Sequence, residues 1–302
     1  MRESSYRVID GTLYRRHPSP YAYTVKVHEL GHGHVEAVAM PRYGWEEVDV
    51  LSPAARADVG LAAGHVWDAA LGEWVAAAPT QQELLDKAAA NRDRSTRRAR
   101  TAVRRLAKSK GLGVLLTLTY RENMTDRARM ARDFDVFVKR LRRVMPGVQY
   151  VCVFERQKRG AWHAHIAVPR VLSHYMHQGS LVRSYDLLRS LWRAVVGLDN
   201  GNVDVSRNRR VQRSSAKLAG YLSKYIGKSF GEGDQIKYEN SYSASGRALP
   251  RPLTFAVLSP QLLDAVQALI VDLLGPEAAR AAEFHQALLD GGGYFVSLAG
   301  VS

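Results

Sequence analysis

The 302-residue sequence predicts a mixed α+β protein, and three observations carry that prediction. Two runs of alternating apolar residues, Tyr21 to Val27 and His34 to Met40, flank a glycine-containing turn, which is the pattern of a hairpin. Further on, Met130, Phe134, Phe137, Val138, Leu141 and Met145 recur at the 3.6-residue period of an amphipathic helix. Helical periodicity returns after Ser259. The chain therefore reads as a β-rich region over residues 1–80, a middle region of strands and helices over 81–250, and a helical C-terminal region over 251–302.

Composition narrows the chemistry. A formal net charge of +14 calls for a partner of opposite sign, and the phosphate backbone of a nucleic acid is the commonest such partner. A single cysteine, Cys152, excludes an intramolecular disulfide and a multi-cysteine zinc site, and fits a reducing compartment. No apolar run approaches the roughly 18 residues of a membrane-crossing helix, and no signal-peptide core follows Arg2 and Glu3. The expectation is a soluble, cytoplasmic protein with no membrane partner.

From Thr80 the pattern becomes helical, with Thr80 and Gln81 before Glu83 as an N-terminal signal. This helix continues through Arg92, Arg94, Arg97, Arg98, Arg100, Arg104, Arg105, Lys108 and Lys110, opposed by Asp93 alone, and a run so unbalanced favours a DNA-backbone contact over a merely solvated face. Gly111 to Thr119 is dense in apolar and β-branched residues, as a strand covered on both faces requires. Thr125 or Asp126 then caps the amphipathic helix, which ends at Pro146-Gly147, and the strand Gln149 to Glu155 follows. The segment after it is a hairpin. With Gly160 at the turn, Glu155 faces His165 and Gln157 faces His163, and all four side chains share one face. A second amphipathic helix spans Ser184 to Val196, followed by a short strand, Asn202 to Val205, and a basic loop with Arg207, Arg209, Arg210 and Arg213. Lys217 to Lys228 is helical. Gly231 to Pro252 reads as an extended loop, Leu253 to Val257 as a strand, and Ser259–Leu274 and Pro276–Leu289 as helices.

Two constellations carry chemistry. His163 and His165, one residue apart on a strand, converge on one point, and Glu155 from the partner strand adds a hard oxygen, so the three form a candidate metal site open to a substrate phosphate. Tyr221 and Tyr225 stand one helical turn apart with Lys217, Lys224 and Lys228 beside them. Neighbouring ammonium groups favour the phenolate and neutralise a phosphate, although an isolated tyrosine pair at this spacing usually packs in a core. Arg97, Arg98, Arg104, Arg105, Arg209, Arg210 and Arg213 are the candidate DNA contacts. Two other motifs fail on context. His28-Glu29-Leu30-Gly31-His32 copies the zinc-peptidase pattern, but its first histidine ends a strand and Gly31 and Gly33 break any helix. Gly227-Lys228-Ser229 copies the end of a Walker loop, but Leu222 stands where the first glycine belongs.

Three blocks, Leu115 to Tyr120, Glu155 to His165 and Tyr221 to Lys228, resemble in content and order the three motifs of HUH endonucleases, and in particular the two-tyrosine rolling-circle replication initiators of small phages and plasmids. The second motif, histidine-hydrophobic-histidine, is matched by His163, Ala164 and His165. The third, a tyrosine with a lysine three residues on, occurs twice, as Tyr221/Lys224 and Tyr225/Lys228. The resemblance covers residues 111–230. It implies a central antiparallel sheet with the histidine hairpin in its middle, helices behind it and the tyrosine helix across the metal site. It also implies Mg²⁺ or Mn²⁺ held by His163, His165 and Glu155, and single-stranded origin DNA as substrate in a bacterial host. The catalytic set would be Tyr221, Tyr225, Lys224 and Lys228, forming a 5′-phosphotyrosine and a 3′-OH primer for host helicase and polymerase. A two-tyrosine transposase or a relaxase would share this centre, whereas a non-catalytic DNA-binding protein would use only the basic helix and the aromatic residues.

Overall fold

The computed structural model describes residues 6–10, 12–48, 64–206, 215–229, 242–289 and 291–299. In chain order the first elements are β1 (Tyr6–Ile9), β2 (Thr12–Gly31), β3 (His34–Glu47), β4 (His65–Asp68), β5 (Glu73–Ala76) and α1 (Gln81–Ser109). There follow β6 (Val114–Tyr120), α2 (Arg127–Val144), β7 (Val151–Arg156), β8 (Trp162–Val168), β9 (His174–His177), β10 (Ser180–Arg183) and α3 (Ser184–Val196). The chain continues through β11 (Gly201–Ser206), α4 (Ser215–Ser229), β12 (Tyr242–Ala244), β13 (Leu253–Leu258), α5 (Leu262–Leu274), α6 (Pro276–Ala281), β14 (Glu283–Leu289) and β15 (Gly293–Ala299). The mixed α+β class read from the sequence is the observed one. No helix among the described residues is long and apolar enough to cross a membrane.

Two compact units result: Met1–His28 with Val35–Asp93 and Pro252–Leu298, and Glu29–His34 with Arg94–Arg251 and Ala299–Ser302. The first is built on a sheet of order β1-β2-β3-β15-β14, with β13 also paired to β2. Alternation buries Val25 and Val27 of β2 and Val35, Ala37 and Ala39 of β3 against Leu262, Val266 and Ile270 of α5 and Val296 and Leu298 of β15. The expected hairpin is present but longer at its open end, where Pro18 and Pro20 lie in β2 and β1 pairs only with Thr12 to Arg15. Its turn holds Gly31, His32 and Gly33 at positive φ, so His28 to His32 form strand and turn rather than a metal-binding helix. The segment expected as a last helix, Pro276 to Leu289, is helical only to Ala281. Residues Glu283–Leu289 form β14, a strand paired into the sheet, and this pairing overrides their helical propensity.

The second unit is a five-stranded antiparallel sheet of order β11-β6-β8-β7-β12, with the β7–β8 hairpin at its centre. Every residue of β8 is buried, because both faces of the sheet are covered. On one face Leu116, Leu118, Cys152, Phe154, Trp162, Ala164 and Ile166 pack against α2 and α3, whose Phe134, Phe137, Leu141, Leu187 and Trp192 are buried there. The Asp126 carboxylate caps α2 by accepting from the Arg129 amide at 2.9 Å, as the sequence anticipates. On the opposite face Leu115, Val151, Val153 and Ala167 pack against Val103, Leu106 and Ala107 of α1 and Leu218, Ala219, Leu222 and Ile226 of α4. The reciprocal Thr80–Glu83 capping box at the start of α1 is formed: the Thr80 amide donates to Glu83 Oε2 at 2.7 Å and the Glu83 amide to Thr80 Oγ1 at 3.2 Å. Two hairpins, β4–β5 and β9–β10, were not expected from the sequence, and neither was the pairing of β12 with β7.

Candidate active site

The site grows from the parity of β8. Trp162, Ala164, Ile166 and Val168 face α2 and α3, which leaves His163, His165 and Ala167 on the side of α1 and α4. Glu155 follows Val151 and Val153 on that same side of β7. The shared face expected from the sequence is therefore present, but the register is not the expected one. Glu155 lies opposite His163 and Val153 opposite His165. The reason is the turn. Gly160 adopts φ +90° and occupies the last position of a three-residue loop, closed by the Gln157 amide donating to the Ala161 carbonyl at 2.8 Å. Centring the turn on Gly160 would have shifted each pair by two residues, a shift that preserves the face and changes the neighbours.

The side chains then meet diagonally. Glu155 Oε2 lies 2.9 Å from His165 Nε2, and Thr117 Oγ1, from the paired position on β6, lies 3.3 Å from His165 Nδ1. Gln157 Nε2 lies 3.2 Å from His163 Nδ1, and the Gln157 amide oxygen accepts from Arg159 Nε at 3.2 Å. His163 Nε2 is buried with no hydrogen-bond partner. Desolvation pushes the His163 pKa down, with the neighbouring His165 adding to the effect, so its imidazole is held neutral, the form that binds a metal.

Helix α4 lays its apolar stripe on the sheet and carries the tyrosines at its flank, half-buried against the same core. The Tyr225 ring stacks on the His165 imidazole, with centroids 4.1 Å apart and planes 14° from parallel. Tyr221 meets Tyr225 edge to face at 5.0 Å, and the Tyr225 hydroxyl donates to the Tyr221 hydroxyl. Lys217 and Lys224 are carried on the same helix, with Lys224 exposed. The backbone of Lys228 belongs to it as well.

Among the described residues no group of three or more His, Cys, Asp and Glu side chains is arranged to hold a metal ion. The His163 and His165 rings stand 6.5 Å apart and 53° from parallel, and the Glu155 carboxylate is directed to His165. The donor set nevertheless fits a divalent cation. It offers one orphaned imidazole nitrogen that is buried and held neutral, with a second imidazole and a carboxylate beside it. Thr117 was not singled out in the sequence; its alternation with Leu116 and Leu118 in β6 is the signal that places it on the histidine face. Of the expected DNA contacts, Arg97 and Arg98 are exposed and Arg104 and Arg105 half-buried on α1, while Arg209, Arg210 and Arg213 lie outside the described residues.

Residues 113–230, less than half of the chain, match the model of a family described as replication-associated protein, of the ORF2 type. The matched segment contains Thr117, Glu155, His163, His165, Tyr221 and Tyr225. No curated protein and no solved structure matches the chain.

Proposed function

We propose that residues 113–230 form the catalytic core of a DNA replication initiator of the HUH, two-tyrosine kind, which cuts one strand by transferring a phosphodiester to a tyrosine. The observation that carries this reading is the seating of both phenols beside the histidine pair, with Tyr225 stacked on His165 and hydrogen bonded to Tyr221. The similarity of the segment to replication-associated proteins supports it.

His163, His165 and Glu155 would hold Mg²⁺ or Mn²⁺, which when bound draws negative charge from the scissile phosphate. Glu155 and Thr117 fix the His165 ring, and Gln157 fixes that of His163. The hydrogen bond that Tyr221 accepts from Tyr225 favours a phenolate on Tyr221, which makes Tyr221 the first nucleophile. Its oxygen forms a bond to phosphorus as the bond to the 3′ oxygen breaks. The proton lost from the phenol ends on that oxygen, leaving a 5′-phosphotyrosine and a 3′-OH. Lys224, one turn along α4 and exposed, meets the non-bridging oxygens with its ammonium group. Tyr225, with Lys228 in the same sequence relation, performs the second transfer that rejoins the strand. One phosphate ester replaces another, so no nucleotide triphosphate is consumed. The 3′-OH is then a primer for the host helicase and polymerase.

Incubating the protein with single-stranded origin oligonucleotides and resolving the products under denaturing conditions tests this. The wild type yields a covalent protein–DNA band, and the band is lost on chelation and in the Tyr221→Phe/Tyr225→Phe variant. Binding without a band in any metal would leave a non-catalytic DNA-binding protein as the answer.

A further inference from the structure

Beside α4, helix α1 borders an open cleft of about 390 Å³ lined by Arg97, Arg98, Thr101, Ala102, Arg105 and Leu249. Its chemistry is divided. Arg97, Thr101 and Arg105 stand one turn apart along α1, as do Arg98 and Ala102, so the guanidinium groups rim a single stripe of the helix. The floor is apolar: Ala102 from the helix and Leu249, which is itself anchored on the core formed by α1, α4 and the sheet. Among the described residues no carboxylate lines the cleft. An extended face of cations would suit any polyanion, but a recess of this size, with an apolar floor and an arginine rim, suits a unit that is apolar and flat at one end and anionic at the other.

We infer that this cleft binds one unpaired nucleotide of single-stranded DNA, with the base over Ala102 and Leu249 and its flanking phosphates on Arg97, Arg98 and Arg105. Paired DNA cannot make this contact, because its base faces are stacked inside the duplex and only phosphates reach the rim. Thr101 offers a hydroxyl to the base edge or the phosphate. The cleft and the tyrosine helix lie on the same face of the same sheet, so a strand held here is retained on the side where its phosphodiester is cut. The inference rests on the reading of the chain as an enzyme that acts on DNA strands, and it adds a holding site separate from the histidine–tyrosine centre.

The test is fluorescence anisotropy of the full chain with a labelled oligothymidylate, in chelator so that no strand is cut. Arg97→Ala/Arg98→Ala is expected to weaken binding about tenfold at physiological salt and to reduce the slope of log Kd against log salt by about 1.4, about 0.7 for each phosphate no longer neutralised. Ala102→Trp, which fills the floor and keeps every cation, is expected to weaken the oligothymidylate several-fold and to leave binding of a duplex of equal length unchanged. Wild-type affinity in either variant overturns the cleft. Photocrosslinking of a bromodeoxyuridine oligonucleotide to the wild-type protein needs no variant, so it reads out even if Ala102→Trp does not fold. Crosslinks at residues 97–105 or at Leu249 support the cleft, and crosslinks confined to other segments overturn it. Covalent-adduct formation measured at saturating oligonucleotide separates the two proposals. Loss of adduct with cleft binding intact removes the nuclease alone, and adduct formation with unaltered binding in the cleft variants removes the cleft alone.

Discussion

His165 is gripped on three sides: Thr117 at Nδ1, Glu155 at Nε2 and the flat ring of Tyr225 over its face. His163 is held only through Nδ1, by Gln157, and its other nitrogen is buried without a partner. Leaving such a group unsatisfied costs about 1–3 kcal/mol, a cost that a bound cation would remove. Mn²⁺ at about 100 times its Kd is therefore expected to stabilise the fold by about 2.7 kcal/mol, and differential scanning calorimetry will show a rise of several degrees in Tm that His163→Ala abolishes. Acid acts in the opposite direction. The His163 pKa is lower in the folded state than in the unfolded chain, so the unfolded state takes up protons first. Stability consequently falls as pH drops below the unfolded value of about 6.5, and the slope becomes shallower in His163→Ala. At this scale the sequence was legible in parity and illegible in register. Alternation alone puts Glu155, His163 and His165 on one face, but their pairing depends on where Gly160 sits in its loop, and the φ of one residue is not encoded in a hydrophobic pattern.

Helix α4 joins two properties that its sequence interleaves. Leu218, Ala219, Leu222 and Ile226 form a stripe buried in the core, and the tyrosines at its margin are positioned only because that stripe is anchored. Leu222→Ala, at a fully buried site, is expected to cost about 2–5 kcal/mol in chemical denaturation and to loosen the Tyr225–His165 stack. The period of the stripe made the helix legible, as it did for α2 and α3. Short elements lacked that signal: β9 and β10 carry too few residues to establish alternation, with Met176 and Leu181 exposed and Tyr175 and Val182 turned to the core. β14 failed for another reason. Its Ala, Glu, Gln and Leu residues favour a helix, and only its place beside β15, a neighbour defined by tertiary pairing, makes it a strand.

At the scale of the whole chain, the ends belong together. The sheet of the first unit takes strands from residues 6–47 and from residues 253–299, so neither terminal region supplies its own core. Deleting residues 252–302 removes Leu262, Val266, Ile270, Val296 and Leu298 from the cluster around Val25, Val27 and Val35. Hydrogen exchange is expected to show the amides of β2 and β3 losing their protection in that truncation. Such long-range pairing is the least readable feature of a single sequence, which is why the C-terminal region read as an independent helical tail. The excess of positive charge, by contrast, was legible from composition, and the nine cations of the run from Arg92 to Lys110 concentrate it on α1 and the residue that follows it. The central claim is that the phenols beside the histidine pair are the nucleophiles. Peptide mapping by mass spectrometry of the wild-type protein after reaction with an origin oligonucleotide and Mn²⁺ tests it most directly. The account predicts a nucleotide phosphate on Tyr221, moving to Tyr225 when Tyr221 is replaced by Phe. A modified residue anywhere else, or cleavage that persists in the Tyr221→Phe/Tyr225→Phe variant, would contradict it.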